Sequence, residues 1–238
     1  MKYAIIADVH SNLEALQRVL KEIKFRKINQ IVCLGDVIGY AANPKECLKI
    51  VTEISRTVVM GNHERALEDI DLRFHFHDMA VKAIAWTSIK LTAKEKEIVR
   101  KFPYITIDKK NDTTWTHGSI HEPHLFHYLL DDQNVSLSFH SLETKIGFFG
   151  HTHVPSIYSE SGRASYLAEG VHKLDPSERY LVNPGSVGQP RERDRRLSFS
   201  IYDSDQYIVE IIRLPYDNKR AAQKIRKAGL PEFLAERL

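Results

Sequence analysis

Runs of apolar residues in the first sixty positions alternate with segments in which apolar residues recur at helical spacing. The apolar runs Lys2–Ala7, Ile31–Leu34 and Arg56–Met60 predict three strands. Ser11–Lys24 and Pro44–Ile54 predict two helices with one apolar face each. This strand–helix–strand–helix–strand order is typical of a parallel sheet that is covered by helices.

Polar residues indicate where these two helices begin. Ser11 and Glu14 have the spacing of a capping box, which predicts that the first helix starts just after His10. We expect Asn43 to cap the second helix, because Pro44 then occupies its first turn.

The pattern becomes more helical in the middle of the chain and then changes to short strands. Helices are predicted over Met79–Lys90 and Thr92–Arg100, the second opening with another capping box. Strands are predicted over Tyr104–Asp108, Thr113–Thr116, Lys145–Phe149, Ser156–Ser159, Tyr180–Asn183, Leu197–Tyr202 and Gln206–Leu214. We expect them to form a second, antiparallel or mixed sheet that packs face to face with the first.

The pattern of basic and apolar residues at the end of the chain, at about residues 218–238, predicts a basic amphipathic helix that breaks at Gly229-Leu230-Pro231. The chain has no internal repeat, low-complexity segment or clear linker. The sequence therefore predicts one domain over residues 1–238. The sequence leaves open whether the protein is a monomer or a homo-oligomer.

Composition narrows the classes of function. Hydrophobic residues make up 42% of the chain and charged residues 27%, which is ordinary for a globular protein. Lys and Arg total 34 against 31 Asp and Glu, so the net charge of +3 is too small to favour nucleic acid as a partner other than as substrate. No apolar stretch approaches the roughly 20 residues that cross a bilayer, so no membrane partner is expected.

The two cysteines and the N-terminus bear on the compartment. Cys33 lies in a predicted strand and Cys47 in a predicted helix, and we expect both to be buried free thiols of a reducing compartment. The first apolar run is interrupted by Asp8 and His10, so it does not resemble a secretory signal. A cytoplasmic location is expected.

Five short polar clusters end or follow apolar runs, and each supplies an oxygen or imidazole that can bind a metal. They are Asp8-Val9-His10, Gly35-Asp36, Gly61-Asn62-His63-Glu64, His117-Gly118 and Gly150-His151-Thr152-His153. Three of them fall just past neighbouring strands, and the carboxyl ends of such strands meet at one edge of an open α/β sheet. We therefore expect the clusters to converge.

The spacing within the clusters also suggests convergence. On an extended segment, residues i and i+2 point the same way, so Asp8 and His10 are expected to face one cavity. The same holds for His151 and His153. The donors are carboxylate, amide and imidazole without thiolate, which suits Mn, Fe, Zn, Co or Ni. A carboxylate at a middle strand end, such as Asp36, can bridge two cations.

In this order, the motifs D-x-H, G-D, G-N-H-E, H-G and G-H-T-H resemble those of the calcineurin-like metallophosphoesterase superfamily, over roughly the first two thirds of the chain. The resemblance implies a four-layer α/β/β/α sandwich of two mixed sheets with a dinuclear centre. It implies that one divalent cation is held by Asp8, His10, Asp36 and His153. It implies that the other is held by Asp36, Asn62, His117 and His151.

The same resemblance implies that His63 is not a ligand but the catalytic residue that faces the substrate. His63 would stabilise or protonate the leaving oxygen while hydroxide attacks phosphorus in line. The neighbouring Glu64 is expected to orient backbone or imidazole groups around the site. The expected activity is hydrolysis of a small phosphoester, either a diester or a monoester.

Two further segments resemble a bacterial and archaeal subgroup of small phosphodiesterases. They are His117-Gly118-Ser119 with Pro123 and Tyr128, and the loop Asn183–Arg191 with the sequence NPGSVGQPR. Ile120 stands where that subgroup has a proline. Residues considered as substrate contacts are Asn12, Tyr40, His121, Asn183, Ser186 and Arg191.

Other functions stay open at this point. Ser/Thr protein phosphatases and dinucleoside polyphosphate hydrolases are the alternative enzymes, although Gly35–Gly39 lacks the arginine of their G-D-x-V-D-R-G motif. A metal-binding scaffold is the alternative outside enzymes, and the presence of His63 with every ligand position counts against it. Nucleic-acid binding would need a stripe of basic residues on the surface, and basic residues are concentrated only in Arg191–Arg196 and in the tail.

Overall fold

The computed structural model describes residues 1–162, 164–166 and 168–238, the short middle segment by its backbone only, and these contain twelve strands in two sheets. The strands of the first sheet are β1 (Lys2–Ile6), β2 (Gln30–Cys33), β3 (Thr57–Val58), β9 (Gly170–Lys173), β11 (Leu197–Asp203) and β12 (Ile208–Leu214). The strands of the second are β4 (Ile105–Asp108), β5 (Thr113–Thr116), β6 (Ile146–Phe148), β7 (Ser156–Ser159), β8 (Ala164–Tyr166) and β10 (Tyr180–Asn183).

Eight α-helices surround these sheets in the described part of the chain. They are α1 (Leu13–Phe25), α2 (Pro44–Ile54), α3 (Asn62–Arg65), α4 (Asp78–Lys90), α5 (Ala93–Arg100), α6 (Asp132–Ser141), α7 (Asn218–Lys227) and α8 (Glu232–Glu236). Two 3₁₀ turns cover Leu72–His75 and Pro123–Leu125. None of the described helices combines the length and hydropathy that a membrane crossing requires.

Both sheets are mixed. The first has the order β3-β2-β1-β11-β12-β9, with β1, β2 and β3 parallel and the other pairs antiparallel. The second has the order β4-β5-β6-β10-β7-β8, with β5, β6 and β10 parallel. The parallel strands run side by side in each sheet, so their carboxyl ends meet at the same edge of the sandwich.

Side chains of β1 alternate between two hydrophobic layers. Ala4 and Ile6 pack with α1 and α2 on the outer face, whereas Tyr3 and Ile5 pack against the second sheet. The outer face of the second sheet is covered by α6, through apolar contacts such as Phe139 with Leu181. The layers therefore follow the order helix, sheet, sheet, helix, which confirms the α/β/β/α sandwich.

The assignment of strands to sheets was wrong for the last two predicted strands. Both β11 and β12 join the first sheet, because β11 pairs antiparallel with β1 and places Tyr202 opposite Tyr3. The third predicted strand, Arg56–Met60, is reduced to Thr57–Val58. The helix α6 and the strand β9 were not predicted, since their apolar positions follow no clear period.

The first predicted cap was also wrong. Asn12, not Ser11, caps α1, because the Asn12 side chain accepts a hydrogen bond from the backbone N–H of Ala15. The second helix has the predicted bounds, although the Asn43 side chain bonds Glu46 instead of capping the backbone. The capping box at the start of α5 and the helical break in the tail are confirmed. Both cysteines are buried free thiols.

Candidate metal centre

Loops at the carboxyl ends of five strands bring the predicted ligands together. Asp8 follows β1, Asp36 follows β2, and Asn62 opens α3 just beyond β3. The second sheet contributes His117 after β5, and the segment 151–153 follows β6. All of these side chains are buried, with exposed fractions of 8% or less. The sandwich thus places donors from both of its sheets around one point.

Donor atoms of the first predicted group face each other closely. His10 Nε2 lies 3.0 Å from His153 Nε2, which in turn lies 3.3 Å from Asp8 Oδ1. Asp36 Oδ2 lies 3.6 Å from His10 Nε2. Several lone pairs that lie within 4.8 Å of one another at a buried point are the arrangement that a cation stabilises.

The second predicted group meets the first at Asp36. His117 Nε2 lies 3.3 Å from Asp36 Oδ2, 3.0 Å from Asn62 Oδ1 and 3.1 Å from His151 Nδ1. Asp36 Oδ2 is therefore the atom that both groups share. The donor set of carboxylate, amide and imidazole fits two divalent cations with one bridging carboxylate.

Backbone carbonyls fix the orientation of three of these imidazoles. The Nδ1 atoms of His10, His117 and His153 bond the carbonyl oxygens of Ile38, Leu34 and Gln189. A ring that donates Nδ1–H to a carbonyl presents the lone pair of Nε2 to a metal. These carbonyl partners were absent from the sequence analysis, because any residue type supplies the same backbone oxygen.

Burial and neighbouring charges together set the protonation states of the cluster. Burial lowers the pKa of His10, His151 and His153, so these rings are neutral near pH 7, the form that binds a metal. Burial opposes ionisation of Asp36, but His117 and His63 outweigh it and hold the pKa of Asp36 well below its usual range. For His117, burial is outweighed by Asp36, which raises the pKa of this ring to about 9.

The backbone of the ligand loops is not extended, contrary to the geometry expected from the i, i+2 spacing. Asp8, His10 and Asp36 have φ values of 55°, 47° and 51°, and His151 and His153 have values of 65° and 64°. A non-glycine residue in the left-handed region costs about 1–3 kcal/mol when the surroundings impose it. Such strain concentrated at one point is typical of a functional site.

His63 lies beside this cluster, with its backbone N–H donating to Asp36 Oδ1 at 2.9 Å. Its Nε2 is 4.0 Å from Asp36 Oδ2, and its buried Nδ1 has no hydrogen-bond partner in the described structure. The ring packs on Tyr40 and Phe76, with centroid distances of 4.5 and 5.1 Å. Burial lowers the pKa of His63 to about 4, so the ring is a neutral donor near pH 7.

Glu64 holds the loops that carry the donors. Its two carboxylate oxygens accept hydrogen bonds from the backbone N–H groups of Asp36, Ile38 and Gly61. Burial and the nearby Asp36 raise the pKa of Glu64 to about 8. These bonds link the loop after β2 to the loop after β3, which agrees with the orienting role expected for this residue.

Three of the residues considered as substrate contacts lie beneath the site. Asn12 donates to the carbonyl of Gly188, Asn183 donates to that of Gly150, and Ser186 donates to that of Asp8. Their exposed fractions are 1% or less. The structure therefore favours a role in holding the ligand loops over the substrate contact that the sequence analysis considers for them.

The other three residues considered as substrate contacts lie in different places. Tyr40 and Arg191 line a cavity next to the cluster, and Arg191 Nη1 lies 3.4 Å from the backbone oxygen of His151. His121 points away, towards Ser141 of α6 at 3.3 Å. The position of His121 does not support a substrate contact, because α6 lies on the opposite side of the second sheet from the first sheet.

Gly188 lets the NPGSVGQPR loop approach the ligand loop after β1. A Cβ at this position would lie 1.9 Å from the carbonyl oxygen of Val9, between two predicted ligands. We expect Gly188→Ala to destabilise the protein by about 3 kcal/mol in urea unfolding and to weaken metal binding. Gly229→Ala is the control, since no described atom lies within 4 Å of its added methyl and only the positive φ of 72° costs about 1 kcal/mol. Equal losses in the two variants would contradict the close approach.

Comparison with known proteins gives one family and several similar chains. The model of the calcineurin-like phosphoesterase superfamily domain matches residues 1–206. An uncharacterised protein of Methanocaldococcus jannaschii is 38% identical over 99% of this chain and 96% of its own length. A metallophosphoesterase of Sphaerobacter thermophilus is 34% identical, with a TM-score of 0.88 over 100% of this chain and 98% of that one. A hypothetical protein of Pyrococcus horikoshii, 22% identical, shares the fold with a TM-score of 0.80 over 99% of this chain and 96% of that one.

Proposed function

The chain belongs to the calcineurin-like phosphoesterase superfamily, and we propose that it is a hydrolase of small phosphoesters that uses two divalent cations. The observation that carries this proposal is that donors from five loops form two buried groups that meet at Asp36. The nearest ring nitrogens, those of His117 and His10, lie 3.3 and 3.6 Å from this oxygen. Mn, Fe, Zn, Ni and Co all suit such donors.

The metal ligands, His63 and Glu64 would have different roles in the reaction. The ligands around Asp36 would hold the cations, which when bound lower the pKa of water and neutralise charge on phosphoryl oxygens. The neutral ring of His63 carries one N–H, which would donate to the leaving oxygen as the ester bond breaks. Glu64 would keep the two loops at a fixed separation while charge develops.

Hydrolysis of p-nitrophenyl phosphate and bis(p-nitrophenyl) phosphate, each with Mn, Ni, Fe or Zn, tests the proposal. We expect metal-dependent release of p-nitrophenol, abolished by a chelator and restored by the metal, with elemental analysis giving two ions per chain. Preference for the diester would set aside a protein phosphatase. Absence of hydrolysis with every metal, in protein shown to contain two ions, would refute the proposal and favour a scaffold.

A further inference from the structure

A cavity of about 570 Å³ opens beside the metal-ligand cluster, between the α7–α8 tail and the loop after β10. Its walls include Tyr40, His77, Tyr128, Phe233, Arg191 and Arg237. The volume lies within the range of small-molecule sites. Arg237 comes from the end of the chain, outside the residues 1–206 that match the family model.

The cavity reaches the cluster itself. The Tyr128 ring stacks on His151 with a centroid distance of 3.8 Å, and the Tyr40 ring lies 4.5 Å from that of His63. The backbone oxygen of Gln189, another wall residue, bonds His153. A leaving group beside His63 would therefore point into this cavity. A second cavity, which His151 lines, also contains Asp69 and Asp71, and these carboxylates disfavour an anionic group there.

The charge of the cavity is unbalanced. Its described wall contains two arginines and no carboxylate. Arg191 Nη1 lies 3.5 Å from the Tyr128 hydroxyl and 3.4 Å from the oxygen of His151, and Arg191 has no ion pair with a carboxylate among the described residues. The Arg237 side chain has no hydrogen bond or ion pair within the described residues, whereas Arg179 and Arg226 each pair with a glutamate. Half-buried guanidinium groups without a carboxylate are sites for an anionic ligand.

We infer that Arg191 and Arg237 form a subsite for a second anionic group of the substrate, carried on an aromatic or similarly flat leaving group. This inference rests on the proposed function, because it assumes that the phosphoryl group binds at the metal-ligand cluster. The flat group lies among the aromatic side chains of the wall, and its carboxylate or phosphate reaches the two arginines. Arg237 is then a specificity-determining residue that the terminal helix supplies.

Isosteric probes test the subsite. The first pair is 4-carboxyphenyl phosphate and 4-carbamoylphenyl phosphate, which differ in charge but hardly in size. We expect kcat/KM of the manganese-loaded protein to be about tenfold higher for the carboxylate, as for a hydrogen-bonded charge pair. A third probe, 4-phosphonophenyl phosphate, distinguishes the two anions, since a larger kcat/KM for it than for the carboxylate identifies phosphate as the preferred group.

Variants of Arg237 test whether this residue causes the preference for the charged probe. Arg237→Gln is expected to reduce the ratio between the charged and neutral probes from about tenfold to about twofold, and Arg237→Lys to keep part of it. Arg193→Gln is the matched control, because Arg193 is exposed and does not line the cavity, and its ratio should equal that of the unchanged protein. Thermal unfolding of each variant shows whether the tail is still folded.

A binding measurement separates this inference from the proposed function. The phosphonates 4-carboxyphenylphosphonate and 4-carbamoylphenylphosphonate cannot be hydrolysed, so calorimetry reports their affinities even for a protein without turnover. Tighter binding of the carboxylate, lost in Arg237→Gln, supports the subsite whether or not the esters are cleaved. Equal affinities in the unchanged protein, or a preference that survives in Arg237→Gln, would overturn the subsite and leave the hydrolase proposal standing.

Discussion

Asp36→Asn is expected to remove both cations together and to lower kcat/KM by about 10³-fold or more. Asp36 Oδ2 is the atom that both groups of donors share, at 3.6 Å from His10 Nε2 and 3.3 Å from His117 Nε2. The asparagine keeps the size of the side chain and an oxygen for the backbone N–H of His63, so the loops should stay in place. What is lost is the negative charge between two dications.

Elemental analysis of the purified variant, in parallel with phosphoester hydrolysis, measures this effect. Asp203→Asn is a suitable control, because Asp203 is also largely buried but pairs with Lys2 at the far end of β11. The control should keep two ions and full turnover. An Asp36→Asn protein that still contains two ions per chain would show that this carboxylate is not the bridge.

His63→Ala is expected to keep both cations and to lower kcat by about 10²–10⁴-fold. His63 Nε2 lies 4.0 Å from Asp36 Oδ2 and forms with His10 and Asp36 a group that could itself hold a cation, so the metal content of the variant has to be measured beside its turnover. In the role assigned to it, the ring donates an N–H to the leaving oxygen of a substrate bound at the cluster. KM should change less than kcat, because the contribution is made as the ester bond breaks.

The control for His63 is His140→Ala, an exposed histidine at the end of α6. It removes an imidazole from the surface and should leave turnover unchanged. Thermal unfolding of both variants is needed, since deleting the ring between Tyr40 and Phe76 also leaves a cavity. Full activity of His63→Ala would refute the assigned role, whereas loss of the metals would show that His63 is itself a ligand.

Much of the framework follows from local sequence. The first two parallel crossovers could be predicted because each apolar run of strand length is followed by a segment with helical period, as in Pro44–Ile54. The order of the five polar clusters sufficed to identify the family, and their donor types indicate the class of metal that we propose. These are properties of neighbouring residues, which the chain carries whatever its final conformation.

Pairing between distant strands could not be predicted in this way. The strands β11 and β12 are apolar runs like the strands that precede them, yet β11 pairs with β1, some two hundred residues earlier, and β12 joins the first sheet by pairing with β11. The seven residues of β11, Leu197–Asp203, do not by themselves specify which strand they pair with. The choice depends on which arrangement buries Tyr3 and Tyr202 between the sheets.

By itself, the sequence determined the donor types, their order along the chain and the family to which they belong. Only the tertiary structure decided that Asp8 and His10 meet the site through left-handed backbone, that Asn12, Asn183 and Ser186 hold loops, and that Arg237 reaches the cavity. The physical reason is that side-chain chemistry belongs to each residue. Burial, backbone strain and the partner of a polar atom instead arise from packing between segments that are far apart in the chain.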